Sequence, residues 1–297
     1  MVATFLTFLM ILTVLCGSAV LARKLAIAPA IVFLIVGIAL AFTPGFPRIE
    51  IKPEGVLLLV LPPLIYSAGV SMSWREFKSN LRPITLLAIG CVIFTTCAVA
   101  AAAHWVLDLP WGVGFVLGAI VSPPDVVAPL AIAKRLKLPH RILVILEGEG
   151  LANDATALIL YRFAVLAVSS GTFSLAPAAG TFVAIIVGEV IFGIAVGWLS
   201  LWLRHRAHDP RVEIALSLLT PYLAFWVPEH LGGSGVIATV ATGLYMSWNG
   251  PLLIPASTRL QGIFFWDMVT WLIEGVLFLM IGFETRILVE KSKELPI

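Results

Sequence analysis

Ten apolar segments, most of them near the length of a membrane-crossing helix, leave a chain of this kind few ways to fold. They run over 3–22, 25–43, 54–71, 83–103, 111–132, 142–168, 176–203, 212–228, 232–248 and 267–288. A helix needs about 20 residues to cross the hydrocarbon of a bilayer. Within it, a helix satisfies its own backbone polar groups, which an open strand cannot do. The expected fold class is therefore an all-α polytopic membrane protein with about ten transmembrane helices. Composition agrees, because a 297-residue chain that is 60% hydrophobic and 12% charged carries more apolar surface than one water-facing core hides. The run 3–22 has no basic residue before it and reads as a first span rather than a signal peptide. For 212–228 and 232–248, separated only by Pro228 to Leu231, a helical hairpin and two short spans both fit.

Basic residues alternate between the connections. Arg23 and Lys24; Arg75, Lys78 and Arg82; Lys134, Arg135, Lys137 and Arg141; Arg204, Arg206 and Arg211; and Arg259 fall on one side. Before the C-terminal tail, the opposite loops hold only Arg48 and Lys52. Cytoplasmic loops carry the excess of Lys and Arg, so the N-terminus is expected outside a cell (inner) membrane. A net charge of +2 points to no nucleic-acid partner. Cys16, Cys91 and Cys97 lie in apolar runs without metal-ligand spacing, and the five histidines fall near segment ends, which argues against a histidine metal site.

Carboxylates inside apolar spans carry the chemistry, since a charge at the bilayer centre is costly. Asp125, Glu147, Glu149, Asp154, Glu189 and Glu274 are so placed, with Arg162 among them. Glu189 and Glu274 suit a structural role as well as an ion path, and Glu147, near a span end, suits a capping or interfacial one. Asp154 lies thirteen residues beyond Arg141, roughly 20 Å along a helix and so near the midplane. Its neighbours in the run EGEGLAND make a polar stripe on an apolar helix. A carboxylate withdrawn from water is satisfied by either a proton or a hard monovalent cation, and exclusive occupancy of one site is the minimum machinery for exchange. Asp125 stands in SPPDVVAPL, where Pro123 and Pro124 remove two backbone donors and break the helix. Broken helices at membrane depth, with unwound carbonyls and half-helix ends, form the cation sites of secondary transporters.

The stretches GAIVSPPDVVA (118–128), KRLKLPHR (134–141), EGEGLANDATALILYRFAV (147–165) and PPLIYSAGVSMSWREFKSNLRPI (62–84) resemble the sodium/proton exchanger family of monovalent cation–proton antiporters, particularly its bacterial members. The resemblance implies an inverted-repeat fold with a broken helix. It also implies a homodimer with a moving core domain, here the helices of about 83–168 within a single membrane domain over 1–297, and dimerisation or scaffold helices elsewhere. It implies antiport of Na⁺, or K⁺, against H⁺ by alternating access, contributing to pH and cation homeostasis, with no enzymatic activity and no cofactor. Asp154 would be the carboxylate for which proton and cation compete, and Asp125 with the Ser122 carbonyl would contribute from the unwound helix, so that Asp154 and Asp125 hold the Na⁺ or K⁺. Asn153 stands where electroneutral exchangers carry Asn and electrogenic ones Asp. Glu149 and Arg162 would stabilise the core.

Two departures stand out. Gly150 replaces the serine of the family's Glu-Ser-Leu-x-Asn-Asp run, removing a hydroxyl expected near the cation. The family has about twelve or thirteen spans, so ten imply an incomplete second repeat. The basic tail (Arg286, Lys291, Lys293), falling on the side poor in basic residues, points the same way. The expectation is part of a longer transporter, with little transport by these 297 residues alone. The alternatives are a non-transporting fragment, an exchanger-like carrier of another solute, and an intramembrane aspartyl protease. The last pairs its second aspartate with Gly-x-Gly-Asp, whereas Leu-Ala-Asn precedes Asp154.

Overall fold

The computed structural model describes residues 2–43, 55, 58–126, 129–130, 132–133, 136–170 and 175–292, and the regular structure among them is helical. The helices are α1 (Val2–Leu25), α2 (Pro29–Ala41), α3 (Leu61–Ser71), α4 (Trp74–Ser79), α5 (Leu81–Leu107), α6 (Trp111–Val121), α7 (His140–Ser170), α8 (Leu175–Ala207), α9 (Pro210–His230), α10 (Val236–Leu253) and α11 (Ala256–Ser292). Leu86–Cys91 of α5 is a π-helical turn. Among the described residues, four helices are long and apolar enough to cross a membrane, namely Leu6–Leu25, Leu81–Leu107, His140–Ser169 and Val183–Ala207. Pro29–Ala41 and Trp111–Val121 are apolar but shorter. Arg48, Lys52, Lys134, Arg135 and Lys293 lie outside the described residues.

The segments 212–228 and 232–248 are two helices of 21 and 18 residues, packed as a hairpin. At 1.5 Å per residue they are roughly 32 and 27 Å long, close to the hydrocarbon thickness. The first continues through Pro228 to His230, so the turn is Leu231–Gly235, later than Pro228 suggests. Gly235 opens α10 with φ +65°, in the left-handed region that glycine adopts without strain.

Two compact units are present. In the unit of Met1–Leu61 and Ile263–Ile297, Ala41, Leu279 and Phe283 form a core lined by Ile11, Val14, Leu40 and Met280. Gly37 and Gly282 let α2 and α11 touch backbone to backbone, and Arg286 donates to the Ala41 carbonyl at 3.0 Å. Helix association in lipid depends on such small residues, because apolar side chains gain little by leaving the bilayer for each other.

The unit of Pro62–Gly262 is larger and carries Asp125 and Asp154. Gly114 and Gly118, one turn apart on α6, lie against the backbone of Ala100 and Thr96 on α5. A Cβ at Gly118 would run into the Thr96 carbonyl, an atom that cannot swing aside. Gly118→Val is therefore expected to cost about 1–3 kcal/mol by forcing the helices apart. The loss would be read as a lower melting temperature of the detergent-solubilised protein.

Two of the five basic connections meet, through Glu76, Asn80, His140 and Arg141. His140, at the start of α7, lies 2.9 Å from the Glu76 carboxylate on α4, and Arg141 Nε donates to Asn80 Oδ1 at 3.0 Å. One residue counted with the loops behaves otherwise. Arg204 is 7% exposed inside the last turn of α8, near Tyr66 and Glu213, which are 1% and 4% exposed. A guanidinium so withdrawn adds little to the surface charge that orients the chain.

Candidate functional site

Helix α6 ends at Val121, directly before the double proline. Pro123 has no N–H, so the Ala119 carbonyl four residues earlier loses its helical donor. The buried Ser122 hydroxyl replaces it, donating to Ala119 O at 3.2 Å. Helical bonding resumes at Val126, whose carbonyl accepts from Leu130 N at 2.9 Å. Ser122–Asp125 is thus the break that the sequence predicts. The C-terminal end of α6, with its outward-facing carbonyls, opens onto it and offers the sign of charge a cation needs.

Asp154 is the fifteenth of the 31 residues of α7, at its middle. Asn153 beside it is 1% exposed and joins the two elements. Its amide donates from Nδ2 to the Pro124 carbonyl at 3.1 Å. Its Oδ1 accepts from the Asp154 backbone N–H at 2.6 Å. One buried side chain therefore clamps the unwound strand to the residue carrying the second carboxylate. Asp125 and Asp154 are both accessible, and Asp125 lies within electrostatic range of Asp154.

The two glycines of EGEGLAND are contact points. Gly148 faces Ile84 of α5, and Gly150 faces Val126, whose side chain lies where a Cβ at 150 would project. Position 150 thus has no room for a side chain while Val126 stays in place. The break and the middle of α7 bring Asp125, Asn153 and Asp154 together, with Ser122 at the start of the same break.

Glu149 is buried, at 6% exposure, and Glu147 is half-buried on the same helix. Arg162, eight residues beyond Asp154, binds the α9–α10 turn, donating to the Gly233 carbonyl and pairing with Glu229 at 2.5 Å. Glu189 of α8 grips the same turn. Its Oε1 accepts from Ser234 N at 2.5 Å and Gly235 N at 3.3 Å, and its Oε2 from Ser234 Oγ at 3.1 Å. A carboxylate on the exposed N–H groups of a helix start satisfies orphan donors and complements the dipole. Sequence reasoning left the role of Glu189 open and missed this clasp. The signal was GGSG (232–235), a turn with free backbone donors lying between two apolar segments.

The sodium/hydrogen exchanger transmembrane family model matches residues 10–296. The chain is 41% identical over 265 residues to an uncharacterized Na⁺/H⁺ exchanger of Mycobacterium tuberculosis, covering 89% of this chain and 48% of that protein. It is 33% identical over 287 residues to the sodium, potassium, lithium and rubidium/H⁺ antiporter of Bacillus subtilis, covering 94% and 43%. The chain thus spans about half the length of the curated relatives it matches. Its fold resembles the sodium–proton antiporter MjNhaP1 of Methanocaldococcus jannaschii, with a TM-score of 0.72 at 18% identity, over 94% of this chain and 70% of that one.

Proposed function

The chain belongs to the sodium/hydrogen exchanger family, and from that premise we propose that it serves secondary antiport of a monovalent cation, Na⁺ foremost and K⁺ second, against H⁺. The observation that carries this assignment is the Asn153 bridge. It ties the Pro124 carbonyl of a broken helix to the backbone of Asp154, with Asp125 in electrostatic range. Two carboxylates beside a carbonyl-rich helix end make a site of high field, and a proton and a cation then compete for the same negative charge. Protonated Asp154 releases the cation, and deprotonated Asp154 with Asp125 takes one up.

In this account Ser122 and Asp125 serve the cation from the break, while Glu149 and Arg162 hold α7 in place. The helices of about 83–168 form a core that moves between access to each side, within a homodimer in the cell membrane whose N-terminus is outside. The neutral Asn153 leaves the site two acidic groups near the cation rather than three, which suits an electroneutral exchange. Support for antiport also comes from the Bacillus subtilis relative, whose name lists Na⁺, K⁺, Li⁺ and Rb⁺ as cations exchanged for H⁺.

The test uses everted vesicles from an antiporter-deficient strain expressing the whole reading frame that includes these residues. With a respiration-driven pH gradient reported by a quenched dye, adding Na⁺, Li⁺ or K⁺ is expected to restore fluorescence. Silence towards every monovalent cation across pH 6–9 would refute antiport.

A further inference from the structure

The wall of the cation site one turn before Asp154 is apolar. Gly150 precedes Asp154 by four residues and Asn153 by three, so all three lie on one face of α7. That face meets the broken segment at Pro124, through the Asn153 amide, and at Val126, through the bare Cα of Gly150. A Cβ built at Gly150 would meet Val126 Cγ1 at 3.1 Å and Cγ2 closer still. The valine isopropyl group therefore occupies the notch that the glycine leaves, next to Asp125 in sequence and one turn from Asp154.

We propose that Val126, seated against Gly150, is the size-selecting residue of the cation site and favours Na⁺ and Li⁺ over K⁺ and Rb⁺. This rests on the antiport assignment. Two carboxylates give a strong field, which rewards small cations that approach closely, and an isopropyl wall takes up space that a larger cation or its retained water needs. The wall supplies no oxygen, so selection here works through volume. A pocket changed by one or two methyl groups alters discrimination by about tenfold or more.

The experiment measures apparent affinities for Na⁺, Li⁺, K⁺ and Rb⁺ in everted vesicles, for the unchanged protein and for Val126→Ala, Gly150→Ser and the double variant. The unchanged protein is expected to prefer Na⁺ and Li⁺. Val126→Ala should shift the Na⁺:K⁺ preference toward K⁺ by about tenfold. Gly150→Ser alone should lose exchange, because its Cβ displaces Val126 and with it the break, and adding Val126→Ala should restore it. The same shift is expected in a readout without transport, the rise in melting temperature of purified protein on adding NaCl or KCl. That readout also serves if a variant inserts poorly. A starting preference for K⁺, or an unchanged Na⁺:K⁺ ratio in Val126→Ala, overturns the size filter and leaves antiport standing. Absence of exchange with all four cations in the unchanged protein, expressed from the whole reading frame that includes these residues, overturns both.

Discussion

Asp154→Asn is expected to abolish cation-stimulated proton movement in everted vesicles at every pH, while the protein reaches the membrane in normal amounts. Asparagine is close to isosteric with aspartate, and the neighbouring Asn153 keeps its bonds to Pro124 O and to the backbone N–H of residue 154. The substitution therefore removes the titratable charge and leaves the local architecture standing. With no group left to bind a proton or a cation at the middle of α7, the remaining carboxylate at 125 can still attract a cation but has no partner through which to exchange it for a proton. Residual exchange above the vector control would mean that another carboxylate is the exchanging group. Because asparagine keeps the shape of the side chain and Asn153 keeps its bonds, a stability loss of more than about 1 kcal/mol is not expected.

Glu189→Ala is expected to have the largest effect on folding. The carboxylate is 4% exposed and accepts three hydrogen bonds from the Ser234–Gly235 turn. Its removal leaves two backbone N–H groups and a hydroxyl buried at the start of α10 without an acceptor. Each such group costs about 1–3 kcal/mol, so a loss of roughly 3–5 kcal/mol follows if water reaches the turn only in part. Much of the same turn depends on Arg162, which holds Gly233 O and Glu229 from α7. The α9–α10 hairpin is thereby fixed from two sides, and a loosened turn would also loosen the helix that carries Asp154. The expected signature is a sharply lower melting temperature in detergent, with Glu189→Gln less damaging because an amide oxygen still accepts. Equal stability of Glu189→Ala and the unchanged protein would show that the clasp contributes nothing.

How much of this was legible in the sequence depends on the range of the interaction. The break after Val121 follows from two adjacent prolines, whose effect is confined to one turn, and it appears where SPPD stands. The polar stripe of α7 is likewise a matter of helical spacing, so Asn153 and Asp154 fall together whatever the rest of the chain does. Partners across helices were not legible. The Gly150–Val126 contact joins residues 24 apart, and a glycine in place of serine reads only as a lost hydroxyl until the valine is seen in the notch. Arg162 looks, by sequence, like company for the carboxylates of its own helix, yet its ion pair is with Glu229, 67 residues on. Arg204 reads as a loop charge because it closes an apolar run, but the following helix folds back and buries it beside Tyr66 and Glu213.

The central claim is that proton and cation compete for the Asp154–Asp125 site, and proton release on cation binding measures this without vesicles or membrane potential. Detergent-purified protein in weakly buffered solution is titrated with NaCl, choline chloride serving as the control for ionic strength, and the pH change is recorded. Saturable acidification with Na⁺ is predicted for the unchanged protein, diminishing as the starting pH rises and absent in Asp154→Asn. Saturable Na⁺ binding with no proton released, or the same release from Asp154→Asn, would contradict it.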